Sequence, residues 1–495
     1  MLRTISPQDM REMELAFMNG TGYPSILLME HAAQAVADEI AAVAGEGARV
    51  LFVCGSGNNG GDGCAAARLW MQRGGRAEVW LLKSPSQMKG DAGVNACLLN
   101  SCGAALHVLY GEAPEIPADC AAIVDALYGT GLNRAVSGAA LDAVQRMNAS
   151  PLPVIAMDIP SGVDGETGAA LGEAVRADVT VTFHRAKHGH MLFPGRALTG
   201  RLVVADIGIL GEWDGAQGYD VLTEADAQAL LPARPMDGHK GTFGHVLSVA
   251  GSGGMAGAAC LCAGAALRAG AGLVTAACTI PVLLPLQTGV PCAMAKAVCA
   301  GAAFDVTAAD ALVALCKGKR ALAIGPGLGV SEETYAAITS LLECDTPKVV
   351  DADALNMLAA FGGRVGPNTV LTPHPGEMAR LCGVTAAEIA ASPVEYAQQL
   401  AQEMSACVLL KGATTVIAMG EEVTLNVSGT SAMATGGSGD VLTGVIAALL
   451  GQGMSPYDAA RAGAYYHGAA GEAAERALGA RAVTATDVLA HIRIE

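Results

Sequence analysis

At 495 residues the chain is too long for one hydrophobic core, since cores stop growing near about 250–300 residues, so two or three domains are expected. Apolar residues make up 52% and charged residues 16%, which excludes a disordered chain. A net charge of -17 excludes nucleic acid and anionic membrane surfaces as partners, because these are held by clustered Lys and Arg, whereas a small anion can still be held by helix N-terminal N–H groups.

Aromatics are only 4% against 63 Gly, so helices are expected to pack closely on small residues. The 14 Cys form no C-x-x-C pair and sit mostly in apolar runs, which reads as buried free thiols in a reducing cytoplasm. Residues 1–7 lack a basic segment followed by an apolar stretch, so no secretory signal is expected. The uncharged stretch 269–295 is long enough to suggest a membrane span, but Pro281, Pro285 and Pro291 interrupt it, and a strand and loop in a soluble core are expected.

Ser6, Pro7 and Asp9 form a helix start, with Met10, Met13 and Phe17 following at helical spacing. β-rich runs then alternate with helical stretches: 50–54 before 63–73, 77–82 before 90–102, then 121–125 and 153–158. This alternation predicts a parallel sheet wrapped by helices, a Rossmann-like α/β domain over 1–215. The polar, Gly-rich run 211–218 marks the junction. Thr223 starts a helix closed by Pro232, and a second α/β domain over 221–495 carries strands at 245–250, 273–277, 321–324, 348–351, 369–372 and 407–411. In such sheets ligands gather beyond the carboxyl ends of the strands.

Three strand ends of the first domain are rich in Gly and carry Asp. The run 50–54 leads into Gly55-Ser56-Gly57-Asn58-Asn59-Gly60-Gly61-Asp62-Gly63 ahead of a helix, a frame that brings backbone close to a ligand and offers N–H groups to phosphate. Asp125 precedes Gly129-Thr130-Gly131-Leu132-Asn133-Arg134, and Asp158 precedes Pro160-Ser161-Gly162. A lone Asp after a strand is usually a turn former, but three such ends in one sheet point to a shared site. Here the chain resembles the YjeF N-terminal family of epimerases, which interconvert the R and S hydrates of NADH and NADPH, over about residues 5–210. The resemblance implies that Asn58, Asn59, Gly60, Gly61, Asp62, Gly129, Thr130, Gly131, Leu132, Asn133, Arg134 and Ala135 contact the hydrated dinucleotide, with Asp158 at the reacting ring. It also implies a K+ ion on Asn59, Asp125 and Ser161. His31, His184, His188 and His190 read as surface or hydrogen-bonded residues.

In the second domain, Gly436-Gly437-Ser438-Gly439-Asp440 opens an apolar helix. Its N–H groups can neutralise a transferring phosphoryl group, and Asp440 is placed to accept the proton of an attacking hydroxyl. Lys411, Gly412, Ala413, Thr414 and Thr415 follow a strand and can contact a nucleotide phosphate; Thr372-Pro373-His374-Pro375-Gly376-Glu377, Asp351-Ala352-Asp353 and Gly325-Pro326-Gly327 complete a rim. No P-loop run is present. These residues resemble the YjeF C-terminal family, NAD(P)H-hydrate dehydratases with a ribokinase-like fold, over about 223–494. The resemblance implies Ala258, Gly327, His374 and Asp440 on the hydrate, 411–415 and Gly439 on the nucleotide, and Mg2+ on its phosphates.

Two such families in one chain are similar to bacterial bifunctional hydrate-repair enzymes. This implies the small molecules NADHX and NADPHX as substrates and ADP as phosphoryl donor. A homo-oligomer in the cytoplasm is expected. The rival readings are a ribokinase-like small-molecule kinase in the second half and a non-catalytic dinucleotide-binding module in the first.

Overall fold

The computed structural model describes residues 2–211, 213 and 218–495. The chain parts into two compact units, Arg3–Tyr219 and Asp220–Glu495 together with Leu2. Of the run in which the sequence places the junction, Glu212 and residues 214–217 lie outside the described residues.

The first unit is built on a parallel sheet with strands side by side in the order Ala105–Val108, Arg76–Leu81, Arg49–Cys54, Cys120–Ala126, Val154–Met157, Val179–Phe183 and Arg201–Ala205. Val50 to Cys54 are all buried, the unbroken apolar run of a strand covered on both faces. Helices Ser25–Ala44 and Asn58–Gln72 cover one face through Val36, Ile40, Ala66 and Trp70. The first strand in sequence lies between its successor on one side and Cys120–Ala126 on the other, so the winding direction reverses there. The three Asp-bearing ends belong to Arg49–Cys54, Cys120–Ala126 and Val154–Met157, which are neighbours at and beside that reversal.

The second unit carries strands in the order Asp220–Val221, Glu422–Asn426, Thr415–Met419, Cys407–Leu410, Thr369–Leu371, Lys348–Val350, Ala321–Ile324, His245–Val249, Leu273–Thr279 and Met294–Cys299. Helix Ser438–Gly451 is buried at every residue from Val441 to Gly451, as expected of a helix enclosed on all sides. A Cβ on Gly444 would stand 2.2 Å from the Cys262 carbonyl, so this position admits only Gly and lets the helix lie against Ala256–Arg268. The small residues Ala259, Ala263 and Ala266 line that second helix, the close packing that the Gly and Ala content predicts.

Several elements differ from the sequence reading. The helix after Arg49–Cys54 starts at Asn58, not near 63, because the glycine frame is itself the first helical turn. The uncharged stretch 269–295 holds strand Leu273–Thr279 and then helix Ile280–Gly289, where a loop was expected; Pro281 occupies the first turn and Pro285 is accommodated within it. Strands Cys407–Leu410, Thr415–Met419 and Glu422–Asn426 are antiparallel neighbours, set between Thr369–Leu371 on one side and Asp220–Val221 on the other. No helix is long and apolar enough to cross a membrane among the described residues. Of the cysteines, Cys97, Cys102 and Cys292 are exposed, so burial of the thiols is incomplete.

Candidate active sites

In the first unit a cleft of about 730 Å³ opens at the reversal point, lined by Asn58, Asn59, Asp62, the run 127–134, Asp158 and Lys187, among others. The glycine frame works by close approach: a Cβ on Gly60 would stand 1.9 Å from the Gly55 carbonyl. Asp158 takes a left-handed backbone, φ 64°, which is uncommon outside Gly and costs on the order of 1–3 kcal/mol. Its N–H donates to the Val181 carbonyl at 2.8 Å, and its own carbonyl is 2.9 Å from His190 Nε2. Since His190 Nδ1 accepts from the Lys187 N–H at 2.9 Å, Nε2 carries the proton and donates. Burial, reinforced by Lys187, pushes His190 down to about 4, so it is a neutral strut.

Lys187 is 2% exposed and its Nζ lies 2.8 Å from Asp158 Oδ1, with further bonds to Thr182 Oγ1 at 2.9 Å and the Phe183 carbonyl at 3.2 Å. Burial alone would raise the Asp158 pKa; the Lys187 charge and hydrogen bond outweigh it and hold the carboxyl below the usual range. Asp62, by contrast, is pushed well up by burial and by the charges of Asp158 and Glu14.

Asp125 is fully buried. Its Oδ1 accepts from Ser161 Oγ at 2.6 Å and from the Leu127 N–H at 3.2 Å, and its Oδ2 accepts from the Ser161 N–H at 2.7 Å. Burial raises its pKa to about 6 against the pull of those bonds. Ser161 Oγ also accepts from the Tyr128 N–H at 2.9 Å. A Cβ on the next residue, Gly129, would fall 3.4 Å from the Asn59 side chain and 3.2 Å from Asp158 Oδ2. Neither amide atom of Asn59 has a hydrogen-bond partner although both are buried. An orphaned buried amide and the oxygens of Asp125 and Ser161 are of the donor types a hard monovalent cation takes, so the chemistry of these side chains fits K+.

In the second unit the strand ends converge on Asp351, which is 1% exposed. Its Oδ1 pairs with Lys411 Nζ at 2.8 Å and its Oδ2 accepts from Thr443 Oγ1 at 2.7 Å. Lys411 Nζ is also 3.8 Å from Glu377 Oε2, and a Cβ on Gly439 would lie 3.3 Å from it. Burial would depress the Lys411 pKa, but the Asp351 and Glu377 charges raise it. His374, half-exposed, caps helix Pro375–Cys382: Nδ1 accepts from the Gly376 and Glu377 N–H groups at 3.0 and 3.3 Å, while Glu377 Oε2 takes the His374 N–H at 2.8 Å. Gly327, φ 62°, would place a Cβ 2.9 Å from Ala258 Cβ, so these two residues lie side by side.

Asp440 stands in the first turn of helix Ser438–Gly451, whose cap is Gly437 with φ 91°. No described group hydrogen-bonds its carboxyl, and no described backbone acceptor takes the N–H groups of Gly439 and Asp440. Burial, with the charge of Asp351 added and that of Lys411 opposing, raises its pKa to about 7. A carboxyl poised near neutrality beside free helix N-terminal amides can take a proton from a hydroxyl where phosphoryl charge is neutralised.

The structure thus gathers Asn58, Asn59, Asp62, 129–134 and Asp158 around one cleft, whereas Gly60 and Gly61 are buried behind its lining and Ala135 lies just past it. It places Lys411, Gly439, His374 and Asp440 around the Asp351 cluster. The run 412–415 makes the turn into strand Thr415–Met419, Thr415 Oγ1 reaching the Gly412 carbonyl at 3.4 Å. Sequence reasoning missed Lys187, Thr182, Glu14 and the buried His467, whose Nε2 is 3.3 Å from Ser438 Oγ. No motif announces them; Lys187 stands in the basic run His184-Arg185-Ala186-Lys187-His188, which reads as a solvated surface segment. His31, His188 and His190 are hydrogen-bonded as expected, to the Ile207 carbonyl, Thr4 Oγ1 and the Asp158 carbonyl.

Two family models match the chain, one described as YjeF-related protein N-terminus over residues 25–189 and one described as NAD(P)H-hydrate dehydratase over 246–493. The bifunctional NAD(P)H-hydrate repair enzyme of Moorella thermoacetica is 44% identical over 94% of this chain and 91% of its own. That of Escherichia coli is 35% identical over 90% of this chain and 84% of its own. The chain belongs to the bifunctional NAD(P)H-hydrate repair family. Among solved structures, an ADP/ATP-dependent NAD(P)H-hydrate dehydratase of Bacillus subtilis, co-crystallised with ATP and Mg2+, is 34% identical, with 55% of this chain and 96% of that one covered at a TM-score of 0.49. The two matches follow one another along the chain, the first falling in the unit Arg3–Tyr219 and the second in the unit Asp220–Glu495.

Proposed function

We propose that this repair enzyme interconverts the R and S hydrates of NADH and NADPH in the cleft of its first unit and dehydrates the S hydrate with ADP in its second. The observation that carries the second reaction is Asp440, a carboxyl without a partner at a helix start whose first amides are free. Asp440 takes the proton of the hydrate hydroxyl. That oxygen attacks the terminal phosphorus of ADP, and AMP leaves. The lone pair of the ring nitrogen then expels phosphate, a far better leaving group than hydroxide, and loss of a proton from the adjoining ring carbon restores the dihydronicotinamide double bond. Lys411 neutralises Asp351 and sits beside Gly439, so it presents its charge where the nucleotide phosphates approach.

Mg2+ would be carried mainly by those phosphates and would supply charge neutralisation on them. In the first unit Asn59, Asp125 and Ser161 would hold K+, which supplies positive charge near a polyanionic substrate. Asp158, kept ionised by Lys187, stabilises the cationic ring intermediate that forms when the carbon–oxygen bond of the hydrate opens.

The experiment is to give the full chain R and S NADHX with ADP or ATP and Mg2+ and follow the return of NADH absorbance. Complete return from both epimers is expected. Retention of a stable phosphorylated product would instead establish a small-molecule kinase, and repair of the S form alone would make the first unit a binding module.

A further inference from the structure

Glu14 lies on helix Pro7–Thr21, ahead of the segment 25–189 that the N-terminal family model matches, yet it lines the same cleft as Asp158 and Asp62. The helix is fixed against that cleft. Ser6 Oγ caps it by accepting from the Asp9 N–H at 2.9 Å, and Met10, Met13 and Phe17 are buried. The residues just before it are stitched to the segment that bears Lys187: the Ile5 N–H donates to the Ala186 carbonyl at 2.9 Å, and Thr4 Oγ1 meets His188 Nδ1 at 2.7 Å. Glu14 and the Lys187–Asp158 pair are therefore positioned by one piece of structure.

The carboxyls in this cleft differ in what holds them. Asp158 is taken by Lys187 at 2.8 Å and by Thr182 Oγ1 at 3.2 Å, a fixed anion. No described residue gives the Glu14 carboxyl a hydrogen bond or an ion pair, although Lys187, Asp158, Arg11 and Asp62 line the same cleft. Burial pushes its pKa to about 7, with Lys187 and Arg11 opposing and Asp158 adding. Carboxyls whose surroundings separate their proton affinities divide into acid and anion.

We propose that Glu14 is the proton donor and acceptor of hydrate epimerisation. This rests on the epimerase reading of the first unit. The Glu14 proton passes to the hydroxyl of the hydrate. The carbon–oxygen bond breaks with its electron pair on oxygen, water departs, and the ring nitrogen lone pair forms the C=N bond of a cation facing Asp158. Water adds to the other face of that carbon and gives up one proton, which restores Glu14, so nothing is consumed.

The test is Glu14→Gln in the full chain, assayed with R NADHX against the uncatalysed background, with Glu14→Asp as the conservative variant and Arg11→Gln as a control on the same helix. Glu14→Gln is expected to lower kcat of epimerisation by about 10²–10⁴-fold with KM little changed, and to abolish the pH dependence near 7. Glu14→Asp should recover part of the rate, Arg11→Gln should move the pH transition upward because it removes a charge that opposes protonation of Glu14, and dehydration of the S hydrate should be unchanged in all three. A wild-type rate in Glu14→Gln, or a loss confined to KM, overturns the assignment while the epimerase reading stands. A wild-type chain that leaves R NADHX at the background rate removes both.

Discussion

The two sites are assembled from the same parts in opposite order. Each has a lysine 2.8 Å from a carboxylate, the buried Lys187 on Asp158 and the partly exposed Lys411 on Asp351, and each has a second carboxyl with no partner among the described residues and a pKa lifted to about 7, Glu14 and Asp440. In the second unit the lysine pairs with the residue behind the site and leaves the substrate-facing Asp440 free. In the first it pairs with the substrate-facing Asp158 itself, so the group left to move protons comes from another element. Which carboxylate the lysine takes decides which one is an anion and which one an acid or base.

The largest expected effect comes from removing the free carboxyl of the second unit. Asp440→Asn keeps shape and should lower dehydration of the S hydrate by about 10²–10⁴-fold while leaving epimerisation intact. The wild-type rate should rise as pH passes upward through about 7, because Asp440 must be ionised to accept a proton. A flat profile, or near wild-type turnover in Asp440→Asn, would make Asp440 a helix cap.

Breaking the pair in the first unit tests the other half of the comparison. Lys187→Met leaves Asp158 buried and unpaired, which should destabilise that unit by about 3–5 kcal/mol at pH 7 in urea unfolding and suppress epimerisation. In the wild type, the stability that Asp158 contributes through its lowered pKa is present above the ordinary carboxyl range and lost as pH falls. In the variant Asp158 is neutral at low pH, so the gap between the two proteins should narrow toward pH 4. A gap independent of pH would show that Lys187 acts by packing alone.

The free carboxyl of the second unit carries a cost that the paired ones avoid. A group whose pKa is higher in the folded state binds protons more tightly there, so Asp440 lowers stability progressively as pH rises from its unfolded value through about 7. Asp440→Asn should therefore be more stable than wild type at pH 8, by up to about 4 kcal/mol for a rise of about three pKa units at about 1.4 kcal/mol each, and close to it near pH 4. Thermal melts at the two pH values read this directly.

The sequence exposes the half of each site that rests on backbone. Glycine frames at 55–63 and 436–439 and Asp after a strand are local signals, since close approach and left-handed turns restrict which residue can stand there. The alternation of strands and helices likewise makes the parallel sheets legible. Lys187, Glu14 and His467 are not legible in this way, because their roles depend on long-range contacts: Thr4 and Ile5 meet 186–188 only in the folded unit. The helix at Ile280–Gly289 escaped for the opposite reason, its prolines reading as breakers although one of them occupies a first-turn position that tolerates it.

The smallest effect concerns Asn59, Asp125 and Ser161, where the first unit has a feature the second lacks. Asp125 is fully buried with no cation of its own chain paired to it, and its oxygens are satisfied only by the two Ser161 bonds and the Leu127 N–H. The Asn59 amide beside Gly129 has no hydrogen-bond partner among the described residues. A monovalent cation that binds the folded unit but not the unfolded chain stabilises it by mass action, by about 1.4 kcal/mol at ten times its Kd. Potassium should therefore raise the melting temperature of the first unit relative to an equal concentration of tetramethylammonium, an ion too large for such a site, and the increment should disappear in Asp125→Ala, which should also weaken epimerisation without touching dehydration. An increment of equal size in Asp125→Ala would assign it to screening of the chain's net negative charge, and Asp125 would then be a purely structural brace for the Ser161 turn.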